Sequence, residues 1–278
     1  MTLLYPLTLL IGVSLTGALL HLGLPPGVAA GAPAGLLIAA LWLLERRFPR
    51  CDNDQPPLLT DTLHLLVSSS ATTTALGLGV TAAGASALWI GGTLWPTDWP
   101  LVAQLILGLL LGELGAWWGH RLCHVSPLLW RIHALHHSSP RLYVLASGRT
   151  HPLNAAWVWL VQTAPLILLG APPELLALHG AATAQIGLFQ HCNLAVPEAA
   201  WTRLVLATPS LHRTHHDEDD GCCNFGNNLI IWDVLFGTRR IAEEPAGFGV
   251  RELAVPRGYL GQLLLPLQWA RAQREPEG

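Results

Sequence analysis

The chain has 278 residues, 51% of them hydrophobic and only 12% charged, with a net charge of −3. Ordinary soluble domains carry roughly 25% charge, so this deficit, with a positive mean hydropathy, points to an integral membrane protein. The slightly acidic balance leaves no electrostatic footprint for nucleic acid. The five cysteines, Cys51, Cys123, Cys192, Cys222 and Cys223, form no CxxC pair. Cys222 and Cys223 are adjacent, which is poor geometry for a bridge, so the set reads as reduced and cytosolic.

Taken in order, residues 3–24 are almost wholly apolar and long enough to span roughly 30 Å of hydrocarbon. A cleaved signal peptide is the rival reading. The missing basic n-region and the second apolar segment that follows at once favour a retained helix. A GLPPG turn at 23–27 leads into a second span at about 28–44, which ends in Glu45, Arg46, Arg47 and then Arg50. Arginines in a short loop mark the cytoplasmic side, which places the amino terminus there too. After a polar loop at 51–60, Thr60 or Asp61 is a candidate cap for a third span running to about 83. Trp95 and Trp99 read as an interfacial belt on the far side, and Trp117-Trp118 as a second belt where a fourth span, about 100–118, returns.

Residues 119–151 are basic and rich in histidine. Residues 152–170 and 173–190 are apolar stretches about the turn Gly170-Ala171-Pro172-Pro173 and read as a membrane hairpin. A hairpin returns its ends to one side, so His151 before it and His191 after it join the cytoplasmic histidines. The acidic run Asp217–Asp220 reads as a solvated loop, and the apolar stretch at 229–236 as packing for a cytoplasmic cap. Residues 258–272 read as one amphipathic helix at the lipid surface.

The chemistry lies in three histidine blocks: His120-x3-His124, His133-x2-His136-His137 and His212-x2-His215-His216. On a helix, positions i, i+3 and i+4 share a face, so each block presents imidazoles in one direction. A lone histidine is more often a satisfied core or surface residue. Three blocks on one side of a membrane are a metal-binding pattern. They lack the carboxylates of a calcium or magnesium site and the HExxH of zinc peptidases. Eight or more imidazoles exceed what one tetrahedral zinc needs. Two metal ions are therefore expected, and all-imidazole ligation fits non-haem iron with O2, while also serving zinc or copper. Glu113 lies two helical turns before His120. A carboxylate inside an apolar span is usually functional, so Glu113 is the candidate catalytic carboxylate, able to accept a ring N–H from a ligating histidine. Arg121, Arg149 and Arg213 sit beside the blocks, with carboxylates or lipid phosphates as candidate partners. His21 and His179 read as structural or interfacial, and His64 stays open.

The words WGHRLCHVSPLLWRIHALHHSS, RTHP, QHCNL, PSLHRTHH, NFG and IWDVLFGT resemble the fatty acid hydroxylase superfamily, also called the sterol desaturase family, over roughly 110–240. The resemblance implies a membrane di-iron enzyme that uses O2 as co-substrate on a lipid such as a sterol-like or fatty acyl substrate. It carries the metal-ligand role onto His120, His124, His133, His136, His137, His212, His215 and His216, with His191 and His151 as further members. Some relatives have another histidine where this chain has Gly187. No fused cytochrome b5 domain is visible, so a separate electron donor of ferredoxin or cytochrome b5 type is implied.

The expectation is thus an all-α membrane protein. Residues 1–118 form a stem of about four spans, 119–244 a histidine-rich catalytic region that includes the hairpin 152–190, and 245–278 an interfacial tail. Its function is expected to be hydroxylation, or desaturation, of a membrane lipid by two iron ions for which zinc can substitute. The alternatives are a pterin-dependent ether-lipid monooxygenase on the same scaffold and a non-catalytic metal-binding membrane protein. A transporter would need polar residues through the spans, and the first two have almost none.

Overall fold

The computed structural model describes residues 3–51, 57–70, 72, 74, 78, 93–195, 197–219, 221–241, 245, 247–251 and 253–273. These residues are mostly helical, and beyond the helices they pair only through isolated β-bridges. Helices α1 (Leu4–His21), α2 (Pro26–Arg47) and α4 (Leu101–Val125) are each long and apolar enough to cross a membrane. Gly23, at φ +81°, makes the turn between α1 and α2, and a proline in the first turn starts α2. A proline there is pre-set for the helix and withholds no needed N–H. Helix α3 covers 58–70, and residues 72, 74 and 78 are helical as well. The rest of the expected third span lies outside the described residues.

Helix α6 (Pro152–Leu168) and α7 (Pro173–Gln190) form the expected hairpin, with Gly170 at φ +80° in the turn. The Thr93 hydroxyl, at 2.9 Å from the carbonyls of both Leu169 and Gly170, ties down that turn. Helix α4 packs against α6 through glycine. A Cβ at Gly115 would meet the Val161 carbonyl oxygen at 2.0 Å, so only glycine permits this approach. Small residues serve helix association in lipid in this way. On the other side α7 packs on α1 and α2, where Tyr5 stacks on Phe189 with ring centroids 4.7 Å apart.

Helix α4 runs unbroken from the apolar span to Val125, so His120 and His124 ride on its last turns. Ser126 and Pro127 then redirect the chain into α5 (Pro127–His137). A 3-10 turn (Val144–Gly148) leads back toward α6. The shorter helices α8 (Thr202–Val205), α9 (Pro209–His215), α10 (Ile231–Leu235), α11 (Tyr259–Leu263) and α12 (Trp269–Ala272) complete the chain.

Four local expectations differ from the structure. Helix α3 begins at residue 58, so Asp61 lies inside its first turn instead of capping it. Its buried carboxylate holds Arg149 at 2.7 Å and also accepts from the Tyr143 hydroxyl. Trp95 and Trp117 are buried and hydrogen-bonded to Gln104 and Asp233, while Trp99 and Trp118 stay exposed. An indole N–H with a partner can enter the core, so each expected belt keeps one tryptophan. The amphipathic helix expected at 258–272 is two short helices either side of Pro266, and Leu265 between them is buried beside Ala134 of α5. The stretch 229–236 is divided: Leu229 and Ile230 are buried, whereas Val234, Leu235 and Phe236 are exposed.

Candidate metal centre

Nine imidazoles converge in two groups. His120, His124, His133, His137 and His215 form one; His136, His191, His212 and His216 form the other. Within each group the candidate ligand atoms all lie within 4.8 Å of one another. In the first group His133 Nε2 lies 3.1 Å from His120 Nε2, 3.2 Å from His124 Nε2 and 3.1 Å from His137 Nε2. In the second, His212 Nε2 lies 3.1 Å from both His191 Nε2 and His216 Nε2.

Hydrogen bonding does not account for this. A neutral imidazole nitrogen carries either one proton or one lone pair, so His133 Nε2 cannot satisfy three like neighbours. A metal ion can. Two nitrogens each about 2.1 Å from one ion, at a right angle, stand roughly 3.0 Å apart. The spacing in both groups is that of a coordination shell, and the Nε2 of His215, buried with no hydrogen-bond partner among the described residues, fits the same reading.

Four of the opposite nitrogens face main-chain carbonyls. Phe225 O takes His120 Nδ1 at 2.8 Å, Cys223 O takes His215 Nδ1 at 2.7 Å, and Gly187 O takes His191 Nδ1 at 3.1 Å. Arg149 O lies 3.3 Å from His136 Nδ1. Such bonds place the proton on Nδ1 and leave the Nε2 lone pair for the metal. Burial, reinforced by neighbouring imidazoles, pushes His133, His136, His137, His212, His215 and His216 well below the usual histidine range. Burial also lowers His191 to about 4, against the opposing bond to Gly187. All seven are therefore neutral at pH 7, the form that ligates.

Adjacent histidines divide between the groups. His136 and His137 go to different groups, and so do His215 and His216. Successive helical residues point about 100° apart, so each HH pair on α5 and α9 addresses both sites at once.

The loop 223–228 does the orienting. Asp233 accepts the N–H of Phe225 at 2.8 Å, the N–H of Gly226 at 2.7 Å, Trp117 Nε1 at 3.0 Å and the Thr238 hydroxyl at 2.6 Å. Between the two ligand-holding carbonyls, Asn224 adopts φ +50°, a left-handed conformation that asparagine tolerates better than most residues. Its side chain donates to Leu211 O and Arg240 O and accepts from Arg240 N. Asp233 and Asn224 were not singled out from the sequence. The signal that could have found Asp233 is a single carboxylate in the otherwise apolar IWDVLFG.

The remaining candidates fall as follows. His151 joins neither group: its Nε2 faces Leu263 O at 3.1 Å and its Nδ1 accepts from Leu153 N at the start of α6. With both nitrogens engaged it is a helix cap. Glu113 is fully buried but touches no imidazole; its two oxygens accept the Asn228 N–H at 2.9 Å and Asn228 Nδ2 at 2.6 Å. Arg149 pairs with Asp61, Arg121 lies over the Trp117 and Trp118 rings, and Arg213 lies over Phe248. Glu45, at the end of α2, accepts Val144 N–H and Asn193 N–H, which secures the chain just beyond His191. His64 is buried with its Nε2 at 2.8 Å from Gln262 Oε1, and His21 is exposed.

A cavity of about 480 Å³ opens from the histidines into the space between α2, α3, α6 and α7. His136, His191 and His212 of the second group line it, as do His120 and His133 of the first. Its walls are mainly apolar and small: Ala34, Ile38, Val158, Ala184 and Leu188 are among them.

Comparison with known proteins agrees with the site. Residues 105–238 match the family model described as fatty acid hydroxylase. The chain is 36% identical to ornithine lipid hydroxylase OlsE of Rhizobium tropici over 241 residues, 82% of this chain and 72% of that protein. It is 34% identical over 134 residues to alkylglycerol monooxygenase of Danio rerio, 48% of this chain and 29% of that protein. The human alkylglycerol monooxygenase is 30% identical over 158 residues, 56% of this chain and 34% of its own length. The matched region thus spans only about a third of the alkylglycerol monooxygenases. No solved structure matches. The chain belongs to the fatty acid hydroxylase family, and its histidine clusters fit a metal site.

Proposed function

We propose that this protein is a multi-pass membrane oxidoreductase that hydroxylates a lipid with O2 at a pair of iron ions. The observation that carries the reading is the convergence of nine imidazoles in two groups at a mainly apolar cavity. Iron held there would supply O2 activation and attack on an unactivated C–H bond. His120, His124, His133, His137 and His215 would hold one ion, and His136, His191, His212 and His216 the other.

The chain's own residues do the rest. The carbonyls of residues 187, 149, 223 and 225 orient the ligands. Asp233 holds the carbonyl-bearing loop in place. The walls formed by α2, α6 and α7 exclude water and present an acyl chain to the histidines. Glu113, through Asn228, is a positioning residue for the wall beside them. Arg46, Arg47, Arg121, Arg131 and Arg141 cluster in sequence at the histidine end of the spans, which supports a cytoplasmic metal site. Electrons would then come from a separate ferredoxin or cytochrome b5 type protein.

The similarity to ornithine lipid hydroxylase over most of both chains supports hydroxylation of a membrane lipid. The shorter match to alkylglycerol monooxygenases keeps pterin-dependent ether-lipid cleavage as a second reading. The test is to load the protein with iron in lipid nanodiscs, supply a reductant under 18O2, and analyse the extracted lipid by mass spectrometry. Gain of one 18O atom without added pterin is the expected result. A strict need for tetrahydropterin, with release of an aldehyde from an ether lipid, would select the second reading. Bound iron with neither O2 uptake nor isotope incorporation would overturn both.

A further inference from the structure

Helix α10 lies beside a membrane-length helix, not beyond its end. Trp232 Nε1 donates to the Leu110 carbonyl at 3.2 Å. Leu110 precedes His120 on α4 by ten residues, roughly 15 Å at 1.5 Å per residue. Three further contacts run along the same stretch of α4. Glu113 accepts the Asn228 N–H at 2.9 Å, Asp233 accepts Trp117 Nε1 at 3.0 Å, and the Phe236 ring centroid is 4.5 Å from that of Trp117. An isolated bridge between Leu206 and Leu229, with the Ile230 N–H donating to Val205 O at 3.0 Å, ties α8 to the start of α10.

The side chains of α10 are inverted relative to a helix on a soluble surface, which turns its apolar stripe inward. Its one charge, Asp233, is buried, while Ile231, Val234, Leu235 and Phe236 are exposed. Helix α8 adds exposed Leu204 and Val205. The Phe236 ring lies 5.9 Å from that of exposed Trp118, so this face joins the flank of α4, where Ile106 and Leu122 are exposed as well. The irregular backbone around α10 meets the demand that hydrocarbon makes, a partner inside the protein for each polar group. Asp233 takes the N–H groups of Phe225 and Gly226, Glu113 takes that of Asn228, and the Asp233 carbonyl takes those of Thr238 and Arg239. A loop in water has no need of buried carboxylates to close its N–H groups.

We propose that α8 and α10 form a re-entrant element whose outer face lies among the acyl chains of the leaflet on the metal side. Lipid is the occupant because the face is continuous with the apolar flank of a membrane-length helix. The charges at its edge agree: Arg239 reaches the Arg203 carbonyl at 3.0 Å and Arg121 lies over the Trp117 and Trp118 rings, placements from which long cationic side chains reach lipid phosphates. Asp233 and the loop 223–228 then stand on an element anchored in the bilayer, which holds the ligand-orienting carbonyls of Cys223 and Phe225 against His215 and His120. This rests on the membrane reading of the long helices.

The test places a nitroxide on p-acetylphenylalanine, which spares the native cysteines, at one position at a time in the full chain. The protein is held in nanodiscs of phosphatidylcholine and phosphatidylglycerol. Power-saturation EPR then compares collisions with O2, which concentrates among acyl chains, and with a water-soluble nickel chelate. Position 235 is the test, position 106 on α4 the lipid reference, and position 219 in the acidic loop the water reference. The ratio of O2 to nickel access at 235 should be several-fold above that at 219 and close to that at 106. A label at 204 makes the same measurement should the 235 protein fail to fold. Nickel access at 235 equal to that at 219, with 106 in lipid, overturns the proposal and leaves α10 in water. Low access to both reagents at 235 overturns it too and marks a face covered by protein, such as a second copy of this chain. Nickel access at 106 as well as at 235 overturns the membrane reading itself, and the proposal with it.

Discussion

The two histidine groups are unequal. The first gathers five imidazoles and the second four, and three of the four line the cavity against two of the five. Beside the second group stands Gly187, whose missing side chain faces open space. In the five-donor group His120 and His215 are fixed from behind by the loop 223–228. The four-donor group has a free side that the cavity reaches. On the proposed two-ion reading, the first group would hold its ion firmly and the second would leave its ion room for O2 and substrate. The same α5 and α9 serve both, since each HH pair sends one ring each way.

Breaking each group in turn should separate these roles. His133→Ala and His212→Ala remove the central imidazole of each group, and both should lower lipid oxidation by more than about 100-fold, beyond the effect of losing an outer hydrogen bond. They should differ in metal retention. Four donors remain around the first ion after His133→Ala, enough to keep it at reduced affinity, whereas only three remain around the second after His212→Ala. Asp233→Asn tests the loop behind the five-donor group. Its amide would place a donor among four donors, so stability should fall by about 1–3 kcal/mol, and metal affinity by at least about tenfold. Titration of iron back into the apo variant would measure both. Glu113→Gln is the mildest. Glu113 contacts Asn228 and no imidazole, so the substitution should leave metal content unchanged and cost about 1–2 kcal/mol in thermal unfolding. A loss of turnover number with KM and stability intact would instead make Glu113 catalytic.

Much of this site was legible in the chain. Eight of the imidazoles stand in HxxxH and HxxHH blocks, and His191 followed from the hairpin topology. What the blocks could not give is the pairing. A sequence block shows which rings share one helix, not which rings of different helices meet, and the rotation of about 100° between neighbours splits each HH pair. His151 followed from the same topology and is nonetheless engaged at both nitrogens by backbone groups that only the fold reveals. The carbonyls of Cys223 and Phe225 leave no trace in side-chain identity, so the outer hydrogen bonds were hidden, and Asp233 with them. The three helices long and apolar enough to cross a membrane, α1, α2 and α4, were readable from hydropathy alone. Trp95 and Trp117 misled because an indole at a span end looks the same whether its N–H meets water or a buried acceptor.

The most direct test of the two-ion account is metal counting on anaerobically purified, iron-saturated protein, with Mössbauer spectroscopy on the same sample. The account predicts close to two irons per chain with an exchange-coupled signal, falling toward one uncoupled iron in His212→Ala. A single ion per chain at saturation, with the same count in His133→Ala and His212→Ala, would contradict it.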